Sequence, residues 1–455
     1  FVALFLGMMV YLCYFTATSR QDMYNNSYNS RQELLLAQNY RGTIYARDGE
    51  ILASTKTDAA GNETREYPYA EMFSHVVGFS THGRTGIEAQ ANYYLINSNA
   101  PLPDKVMNDM SGAKNPGDSV YTTLDVELQE TAYKALGVYN GAIIVTEPST
   151  GRILAMVSKP DFDPNHVAEE WEKLTQDTEK GELINRATQG LYPPGSTFKI
   201  ITSLEYMREN PDTYSAYHYN CNGRFTLDGN TIQCYHGANH GSFGFTESFA
   251  KSCNSSFANI GTGLDHTAFR KTLNDLLFDR ELPVKFQYSQ SSVHMTEDMS
   301  TEEMMQTSIG QGKTQITPLH LNMITCAIAN NGTLMKPYAI DTVKSSTGAT
   351  VKRFSDSSYG KLMSETEAAA LKDMMVQVVE NGTARVLKGQ PYTAAGKTGS
   401  AEYNSKGDSH AWFTGFAPAE DPQVCVTIII EGAGSGGDYA VPIAKRLFDA
   451  YFEQQ

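Results

Sequence analysis

The sequence predicts a mixed α/β protein of the α+β type, in which an antiparallel sheet is flanked by the terminal helices of one domain. GAIIVTEPSTGRILAMVS (141–158) predicts a β-hairpin, because two apolar runs enclose a cluster of turn residues. A further apolar run, VCVTIIIEG (424–432), predicts a third strand. Helical periodicity before the hairpin and after the third strand completes the pattern, since such helices bury one apolar face on a sheet.

The two flanking helices each have one apolar face. Asp125 is a favourable N-cap for the first helix. The apolar face of that helix contains Val126, Leu128, Ala132, Ala135 and Leu136. The last helix lies in YAVPIAKRLFDAYFEQ, and its apolar face contains Val441, Ala444, Leu447, Phe448 and Tyr451. We therefore expect a compact domain over residues 121–455.

Length and composition limit the class of protein. The 455 residues exceed one ordinary domain of roughly 150 residues and suggest two or three. Lys and Arg total 36 against 51 Asp and Glu, a net charge of −15, so nucleic acid is excluded as the main partner. The 41% of hydrophobic residues are typical of a folded protein, and six cysteines are too few for a disulfide scaffold of this length.

The chain begins with an uncharged apolar stretch, FVALFLGMMVYLCYF, and its first charged residue is Arg20. We interpret residues 1–18 as a membrane anchor, since a buried core helix would carry a polar stripe. A full span needs about 20 apolar residues, so we expect the sequence to begin partway through a helix whose cytoplasmic end is missing. The remaining bulk would then lie outside the cytoplasm, as in a single-pass membrane protein.

An accessory region separates the anchor from the compact domain. A polar, helix-compatible run extends from Ser19 to Asn39. Residues 40 to about 118 contain short motifs and turns without a sustained period, which indicates an irregular, extended domain. The predicted organisation is therefore an anchor at 1–18, an N-terminal domain at 19–120 and a larger domain at 121–455.

One motif, YPPGSTFKI, places a serine and a lysine at the start of a helix. The turn at residues 193–195 leads into the helix, with Ser196 in the first turn and Lys199 three residues later on the same face. A serine hydroxyl attacks a carbonyl only with an adjacent base and oriented N–H donors. Lys199 can be that base if its amine is neutral.

Two further motifs supply polar groups. In KSCNSSF, Ser252 and Asn254 point the same way if the chain is extended. GKTGSAEY is predicted to form a strand edge where Gly399 permits the close approach of a substrate backbone. The motif contributes Lys397, Thr398, Gly399 and Ser400. Each motif is weak alone, but the three in this order are a strong signal.

The three motifs together are the signature of penicillin-binding proteins and class A β-lactamases. Further segments resemble the class B penicillin-binding proteins, the monofunctional peptidoglycan transpeptidases, over almost the whole chain. They are RGTIYARDGEILA, whose order departs from the family box at Ala46, Arg47 and Asp48, and GRTGIEAQANYYL, TTLDVELQ, GQGKTQITPLH and HAWFTGFAP. The resemblance implies a transpeptidase domain with an all-helical part, and an N-terminal, dimerisation-like pedestal domain.

By this resemblance, Ser196 is acylated by the penultimate D-Ala of a stem peptide or by a β-lactam, and a neighbouring stem's amine resolves the acyl-enzyme. The resemblance also implies that Lys199 is the base, Ser252 the proton relay and Lys397 an electrostatic support. Asn254 would hold the substrate amide, and Thr398 and Ser400, with Gly399 between them, would bind the substrate carboxylate. The N–H groups of Ser196 and Ser400 would form the oxyanion hole. Acyl transfer needs no cofactor, and the implied membrane partner is a SEDS-family glycosyltransferase.

A cluster of thiols and imidazoles lies between the first and second motifs. Cys221, Cys234, His236, His240 and Cys253 fall within one short stretch. A structural zinc, a disulfide between Cys221 and Cys234, and free buried thiols are the alternatives here. We favour zinc because it uses three thiols and one imidazole. Some elongation-type relatives resemble this stretch and hold a metal with ligands spaced like Cys221, Cys234, His240 and Cys253.

The position of Cys253 suggests what a zinc would do. Since its neighbours Ser252 and Asn254 face the cleft, Cys253 should face away, and a zinc would then anchor the active-site loop from behind. We expect the remaining cysteines, which are Cys13, Cys326 and Cys425, to be inert because they lie in apolar runs.

Other functions share part of this pattern. A class A β-lactamase needs a glutamate in an E-x-x-L-N loop, and none occurs between Asn254 and Lys397. A D,D-carboxypeptidase is closest in chemistry but is not usually preceded by such a pedestal. A β-lactam sensor would usually carry a polytopic membrane part, and a non-catalytic scaffold would be expected to lose a motif residue.

Overall fold

The computed structural model describes residues 1–25, 31–403 and 408–454, so part of the predicted run from Ser19 to Asn39 lies outside the described residues. The chain forms two compact units. The first contains Phe1–Asp125, Asp161–Glu179 and Ala339–Ser355, and the second contains Val126–Pro160, Lys180–Tyr338 and Asp356–Gln455.

The elements of the described ranges are as follows. The helices are α1 (Val2–Asn25), α2 (Arg31–Gln38), α3 (Ser74–Val77), α4 (Gly86–Gln90), α5 (Asn92–Ile96), α6 (Leu102–Ser111), α7 (Val126–Leu136), α8 (Val167–Gln176), α9 (Lys199–Glu209), α10 (Phe245–Ala250), α11 (Asn254–Gly261), α12 (His266–Asp275), α13 (Thr301–Ser308), α14 (Pro318–Ala329), α15 (Glu365–Glu380) and α16 (Gly436–Glu453). The strands are β1 (Asn39–Tyr40), β2 (Ile44–Tyr45), β3 (Ile51–Thr57), β4 (Glu63–Glu66), β5 (Asn115–Pro116), β6 (Ser119–Thr122), β7 (Gly141–Glu147), β8 (Arg152–Lys159), β9 (His218–Cys221), β10 (Arg224–Leu227), β11 (Asn230–Gln233), β12 (Gly241–Gly244), β13 (Thr333–Met335), β14 (Ile340–Lys344), β15 (Thr350–Arg353), β16 (Ser358–Lys361), β17 (Ala395–Glu402), β18 (Ser409–Ala417) and β19 (Val424–Ile430).

The second unit is built on an antiparallel sheet. Within the described residues this sheet has five strands in the order β17-β18-β19-β7-β8. The predicted hairpin is confirmed as β7 and β8, and the predicted third strand as β19. Every residue of β18 and β19 is buried, so neither strand alternates polar and apolar residues. β17 lies at an edge of the sheet, where one side of its backbone is open to a substrate.

Helices cover this sheet as the sequence predicts. α7 and α16 both pack against its strands. The predicted apolar face of α16 is confirmed, because Val441, Ala444, Leu447, Phe448 and Tyr451 are buried. α14 also packs on β19 and β7, and all of its residues are buried. α14 is therefore an interior helix, and its polar side chains His320, Asn322 and Thr325 are buried together with its apolar ones.

The first unit contains a sheet that sequence periodicity did not reveal. In the described part of this unit the strand order is β15-β14-β6-β2-β3-β4, with β2 and β6 parallel and the other pairs antiparallel. The prediction of an irregular region over residues 40–118 was therefore wrong for β2, β3 and β4, which lie within that range. The strands of the whole sheet are short. They contain two to seven residues each, too few to show a period, and two of them come from Ala339–Ser355.

A buried ion-pair cluster joins two of the N-terminal motifs of the first unit. Glu88 is fully buried, and one carboxylate oxygen accepts from Arg41 Nε at 2.6 Å while the other accepts from Arg65 Nε at 2.7 Å. Arg41 also donates to Asn92 Oδ1 at 2.6 Å. Burial alone would raise the pKa of Glu88, but attraction to the two guanidinium groups holds this pKa below its usual range.

The N-terminal helix α1 exposes apolar side chains from Phe1 to Tyr14. None of the described helices combines the length and the apolarity needed to cross a bilayer.

We predict that Glu88→Gln lowers the free energy of unfolding of the first unit by about 3–5 kcal/mol, because it leaves two buried guanidinium groups without their counter-charge. Thermal or urea unfolding of the purified protein measures this loss. The control is Glu66→Gln, which breaks the exposed 2.5 Å pair with Lys56 and should cost less than about 1 kcal/mol. Equal small losses in both variants would contradict the structural role of Glu88.

Candidate active site

Ser196 lies in a tight turn that requires a glycine at the preceding position, Gly195. The 3₁₀ turn Gly195–Phe198 leads directly into α9, and Gly195 has a φ of +53°. A Cβ atom on Gly195 would lie 2.7 Å from the carbonyl oxygen of Ser400. The turn is also held by Trp412, whose Nε1 donates to the carbonyl oxygen of Pro193 at 3.1 Å. The serine therefore lies close to the edge strand β17.

The amine of Lys199 lies at the centre of a set of oxygen atoms. Its Nζ is 3.0 Å from Ser196 Oγ, 2.7 Å from the carbonyl oxygen of Ser252, 3.3 Å from Ser252 Oγ and 2.7 Å from Asn254 Oδ1. The residue is fully buried. Burial lowers the pKa of Lys199 to about 7, because a buried ammonium loses its hydration.

The geometry shows what the neutral amine of Lys199 can do. A neutral amine has two N–H donors and one lone pair. Its two shortest contacts are to the carbonyl oxygen of Ser252 and to Asn254 Oδ1, which can only accept. With both N–H groups used there, the lone pair is left for the hydroxyl of Ser196. The arrangement therefore suits Lys199 to receive the proton of Ser196.

Ser252 is held in an uncommon backbone conformation beside both lysines. Its φ is +56°, a region that costs a non-glycine residue about 1–2 kcal/mol. This conformation lets the carbonyl oxygen and Oγ of Ser252 both reach the amine of Lys199. Lys397 Nζ donates to the same Oγ at 2.9 Å. The hydroxyl of Ser252 thus accepts from Lys397 and has its own proton free for a relay.

The positive charge of Lys199 affects the pKa of Lys397. Lys397 is fully buried, and burial together with the nearby charge of Lys199 lowers the pKa of Lys397 well below its usual range. In the described parts of the chain, neither amine forms an ion pair with an Asp or Glu. Two buried ammonium groups without a counter-ion are costly, so at least one amine is neutral near pH 7.

Asn254 connects the lysine to the neighbouring hairpin. Its Oδ1 accepts from Lys199, and its Nδ2 donates to the carbonyl oxygen of Gln233 at 3.0 Å. Gln233 ends β11 and is followed by Cys234. A displacement of this hairpin would therefore move the amide that orients the base.

The edge strand β17 brings the third motif to the same cleft. A cavity of about 390 Å³ is lined by Ser196, Ser252 and Asn254 from the first two motifs. From the third motif it contains Thr398, Gly399 and Ser400, whereas Lys397 is buried beneath the cleft. The backbone N–H of Gly436 donates to Ser400 Oγ at 3.3 Å. The structure thus brings all of the predicted catalytic and substrate-binding residues together.

Several cavity residues were missed by the sequence reasoning. They are Tyr235, Ala238, Lys251, Gly382, Thr383, Arg385, Val386, Ser435, Gly437 and Asp438. They lie in short helical turns, in loops and in the first turn of α16, and their place in the cleft depends on tertiary packing. The glycine of the N-G-T sequence after α15 was the one available signal, since a glycine at the end of a helix allows another backbone segment to pack closely against it.

The predicted metal ligands form one cluster. The ligand atoms of Cys221, Cys234, His240 and Cys253 lie within 4.8 Å of one another. The Sγ atom of Cys234 is 3.7 Å from that of Cys221 and 3.6 Å from that of Cys253, and Cys221 Sγ is 3.4 Å from His240 Nδ1. All six cysteines are free thiols, so the alternative disulfide is not formed. His236, by contrast, is not part of the cluster.

Hydrogen-bond donors surround the three sulfur atoms. The backbone N–H groups of Gly223 and Ser255 donate to Cys221 Sγ at 3.4 Å and to Cys234 Sγ at 3.5 Å. Cys253 is fully buried and absent from the cavity lining, whereas His240 lines the cavity. Cys253 therefore faces away from the cleft, as expected, while the imidazole of His240 forms part of the cleft wall.

The chain is similar to known proteins over most of its length. The profile of the penicillin-binding protein transpeptidase domain matches residues 141–449, and that of the penicillin-binding protein A dimerisation domain matches residues 41–120. The chain is 31% identical to the peptidoglycan D,D-transpeptidase PbpA of Mycolicibacterium smegmatis, over 92% of this chain and 91% of that protein. It is 27% identical to MrdA of Acinetobacter baumannii, a peptidoglycan D,D-transpeptidase, over 85% of this chain and 66% of the relative.

Solved structures are similar over nearly the whole fold. The D,D-transpeptidase domain of a peptidoglycan glycosyltransferase from Eggerthella lenta superposes with a TM-score of 0.83 at 30% identity, and covers 92% of this chain and 99% of its own. Penicillin-binding protein A of M. tuberculosis, solved as its penicillin G acyl-enzyme complex, has a TM-score of 0.81 at 29% identity and covers 91% and 100%.

We predict that the amine of Lys199 loses its proton as the pH rises through about 7, because burial disfavours the ammonium form. NMR of protein labelled at the lysine side-chain carbons, with Lys199→Met used to assign the signal, measures this titration directly. An amine of Lys199 that stayed protonated up to pH 9 would rule out its role as base.

Proposed function

The chain belongs to the penicillin-binding proteins with a transpeptidase domain, and from this premise we propose which residues carry out its reaction. It is a serine-type D,D-transpeptidase that cross-links peptidoglycan and is acylated by β-lactams. We assign the nucleophile to Ser196 and the base to Lys199. The observation that carries this assignment is the 3.0 Å contact between Lys199 Nζ and Ser196 Oγ in a buried site to which the described residues supply no counter-ion.

In the first half-reaction, Ser196 Oγ attacks the carbonyl carbon of the penultimate D-Ala and its proton moves to Lys199. The backbone N–H groups of Ser196 and Ser400 stabilise the oxyanion. The peptide C–N bond then breaks, and the leaving amine receives a proton through Ser252, whose Oγ is held by Lys397. Terminal D-Ala departs and an acyl-serine ester remains.

In the second half-reaction, the amine of a neighbouring stem attacks the ester. Ser252 and Lys199 take its proton, the new amide forms and Ser196 regains its hydroxyl proton. A β-lactam follows the first half-reaction, but its leaving nitrogen stays attached to the acyl group. Thr398 and Ser400 bind the substrate carboxylate, and Asn254 holds the substrate amide.

We predict that Ser196→Ala abolishes the covalent benzylpenicillin adduct and that Lys199→Met slows its formation by about 10²–10⁴-fold. Intact mass spectrometry of the incubated protein measures both effects, with the exposed Ser111→Ala as control. Adduct at the wild-type level in Ser196→Ala would refute the assignment. Rapid loss of the adduct with release of hydrolysed penicillin would instead indicate a β-lactamase-like protein.

We also propose that Cys221, Cys234, His240 and Cys253 hold one structural zinc. Three sulfur ligands at about 2.3 Å and one nitrogen at about 2.0 Å from a tetrahedral zinc lie about 3.5–3.8 Å apart. The measured contacts of 3.7, 3.6 and 3.4 Å fit this set. Zinc would draw four segments together and contribute to folding, and it would steady the hairpin that binds Asn254 through Gln233.

We predict about one zinc per chain in protein purified without added metal, measured by elemental analysis. His240→Asn should lower this content, while His236→Asn, the control in the same stretch, should keep it. A chelator should also slow acylation, because the loop with Ser252 and Asn254 loses its support. A zinc content well below one per chain, together with a mapped disulfide between Cys221 and Cys234, would end the metal proposal.

The N-terminal region is proposed to connect the enzyme to the membrane. We assign residues 1–18 to a single-pass anchor, 19–120 to the pedestal and 121–455 to the transpeptidase domain, which lies outside the cytoplasm. The uncharged, exposed surface of α1 from Phe1 to Tyr14 supports the anchor. The match of residues 41–120 to a penicillin-binding protein dimerisation profile supports the pedestal.

The pedestal is further proposed to bind a polytopic SEDS-family glycosyltransferase, since the class B enzymes that this chain resembles do not polymerise glycan themselves. We predict that deletion of residues 40–118 abolishes co-purification from membranes, while replacement of residues 1–18 by an unrelated transmembrane helix preserves it. The reverse result would show that the anchor, and not the pedestal, binds the partner.

A further inference from the structure

One wall of the cleft comes from a segment that none of the three motifs contains. α15 ends at Glu380, and the residues that follow it, Asn381 to Arg385, return toward the nucleophile. Gly382, Thr383 and Arg385 line the same cavity as Ser196. We call residues 381–385 the ENGTAR wall, after the sequence that contains them.

The ENGTAR wall is packed tightly on both sides. A Cβ atom on Gly382 would lie 2.2 Å from the carbonyl oxygen of Ala250, the last residue of α10. A Cβ atom on Gly437, in the first turn of α16, would lie 2.9 Å from the carbonyl oxygen of Thr383. The wall is therefore held between the helix that leads to Ser252 and the helix that follows the sheet.

The hydroxyl of Thr383 is hydrogen-bonded to the hydroxyl of Thr398, the threonine of the third motif. The two hydroxyl groups have two protons between them. One proton lies in their mutual hydrogen bond, so the other is directed away from the pair. Since both residues line the cavity, the pair can present this O–H to a ligand in the cleft.

Arg385 adds a positive charge to the same wall. Its Nη2 donates to the carbonyl oxygen of Asn381 at 2.8 Å, which uses one of the five N–H donors of the guanidinium group. The side chain is otherwise exposed to the cavity. The cavity is also lined by two other charged side chains, the half-buried Lys251 and the exposed Asp438. A hydroxyl donor beside a guanidinium group is suited to a carboxylate.

We propose that the ENGTAR wall selects substrates by their carboxylate. Thr383 is a positioning residue that fixes the hydroxyl of Thr398, and Arg385 is a specificity-determining residue that attracts the carboxylate electrostatically. This inference rests on the proposed acylation of Ser196, and it deepens that proposal by extending carboxylate recognition beyond the third motif. Penicillins with a free carboxylate should therefore react faster than the corresponding esters.

The test compares acylation by benzylpenicillin and by its methyl ester, measured as second-order rate constants by intact mass. Thr383→Val removes the hydroxyl with little change in shape, and Arg385→Gln removes the charge. Each substitution should slow acylation by the acid by about 10–100-fold and by the ester by less than about threefold, since hydrogen bonds to a charged group are the ones lost. Thr383→Ser should restore the rate for the acid.

The control is Thr366→Val, which removes an exposed hydroxyl at the other end of α15 and should change neither rate. Equal slowing of both reagents by Thr383→Val would show a merely structural role and overturn the inference, as would an unchanged rate for the acid. If Thr383→Val does not fold, the exposed Arg385→Gln decides. If wild-type protein forms no adduct at Ser196 with either reagent, the proposed nucleophile has failed, and not this inference alone.

Discussion

The proposed catalytic centre depends on two lysine amines that are fully buried against one serine hydroxyl, with no neutralising carboxylate among the residues that the structure describes. Lys199 and Lys397 both contact Ser252 Oγ, at 3.3 and 2.9 Å. Because desolvation and mutual repulsion disfavour a second positive charge, an amine that would be protonated in water becomes available as a base. The rest of the site can be understood as the structure needed to keep this pair dry and in place.

The fold meets this requirement by bringing three distant segments together at close range. The turn before α9 approaches β17 so closely that only glycine fits at position 195. On the other side, Gly436 lies so near β17 that a Cβ atom would be 2.4 Å from the carbonyl oxygen of Gly399. Larger side chains would prevent this close packing of backbone on backbone.

The Cys/His cluster lies next to the hairpin of β10 and β11, which contacts the second motif. Asn254 accepts from Lys199 and donates to Gln233, the residue before Cys234, so the orientation of the base depends on the position of this hairpin. A short hairpin with little core of its own is a weak support. The proposed zinc, with ligands from four segments, would make this hairpin rigid.

The sequence by itself determined the hairpin of β7 and β8, the strand β19 and the faces of α7 and α16, because long apolar runs and helical periodicity report local burial. It also determined the three motifs, since their residue types and order match the signature that penicillin-binding proteins share. Only the tertiary structure decided the sheet of the first unit, which uses short strands and a pairing between residues far apart in the chain. The tertiary structure likewise decided the positions of Thr383, Arg385 and His240 in the cleft, and the lowered pKa of Lys199, because burial and long-range packing have no local sequence pattern.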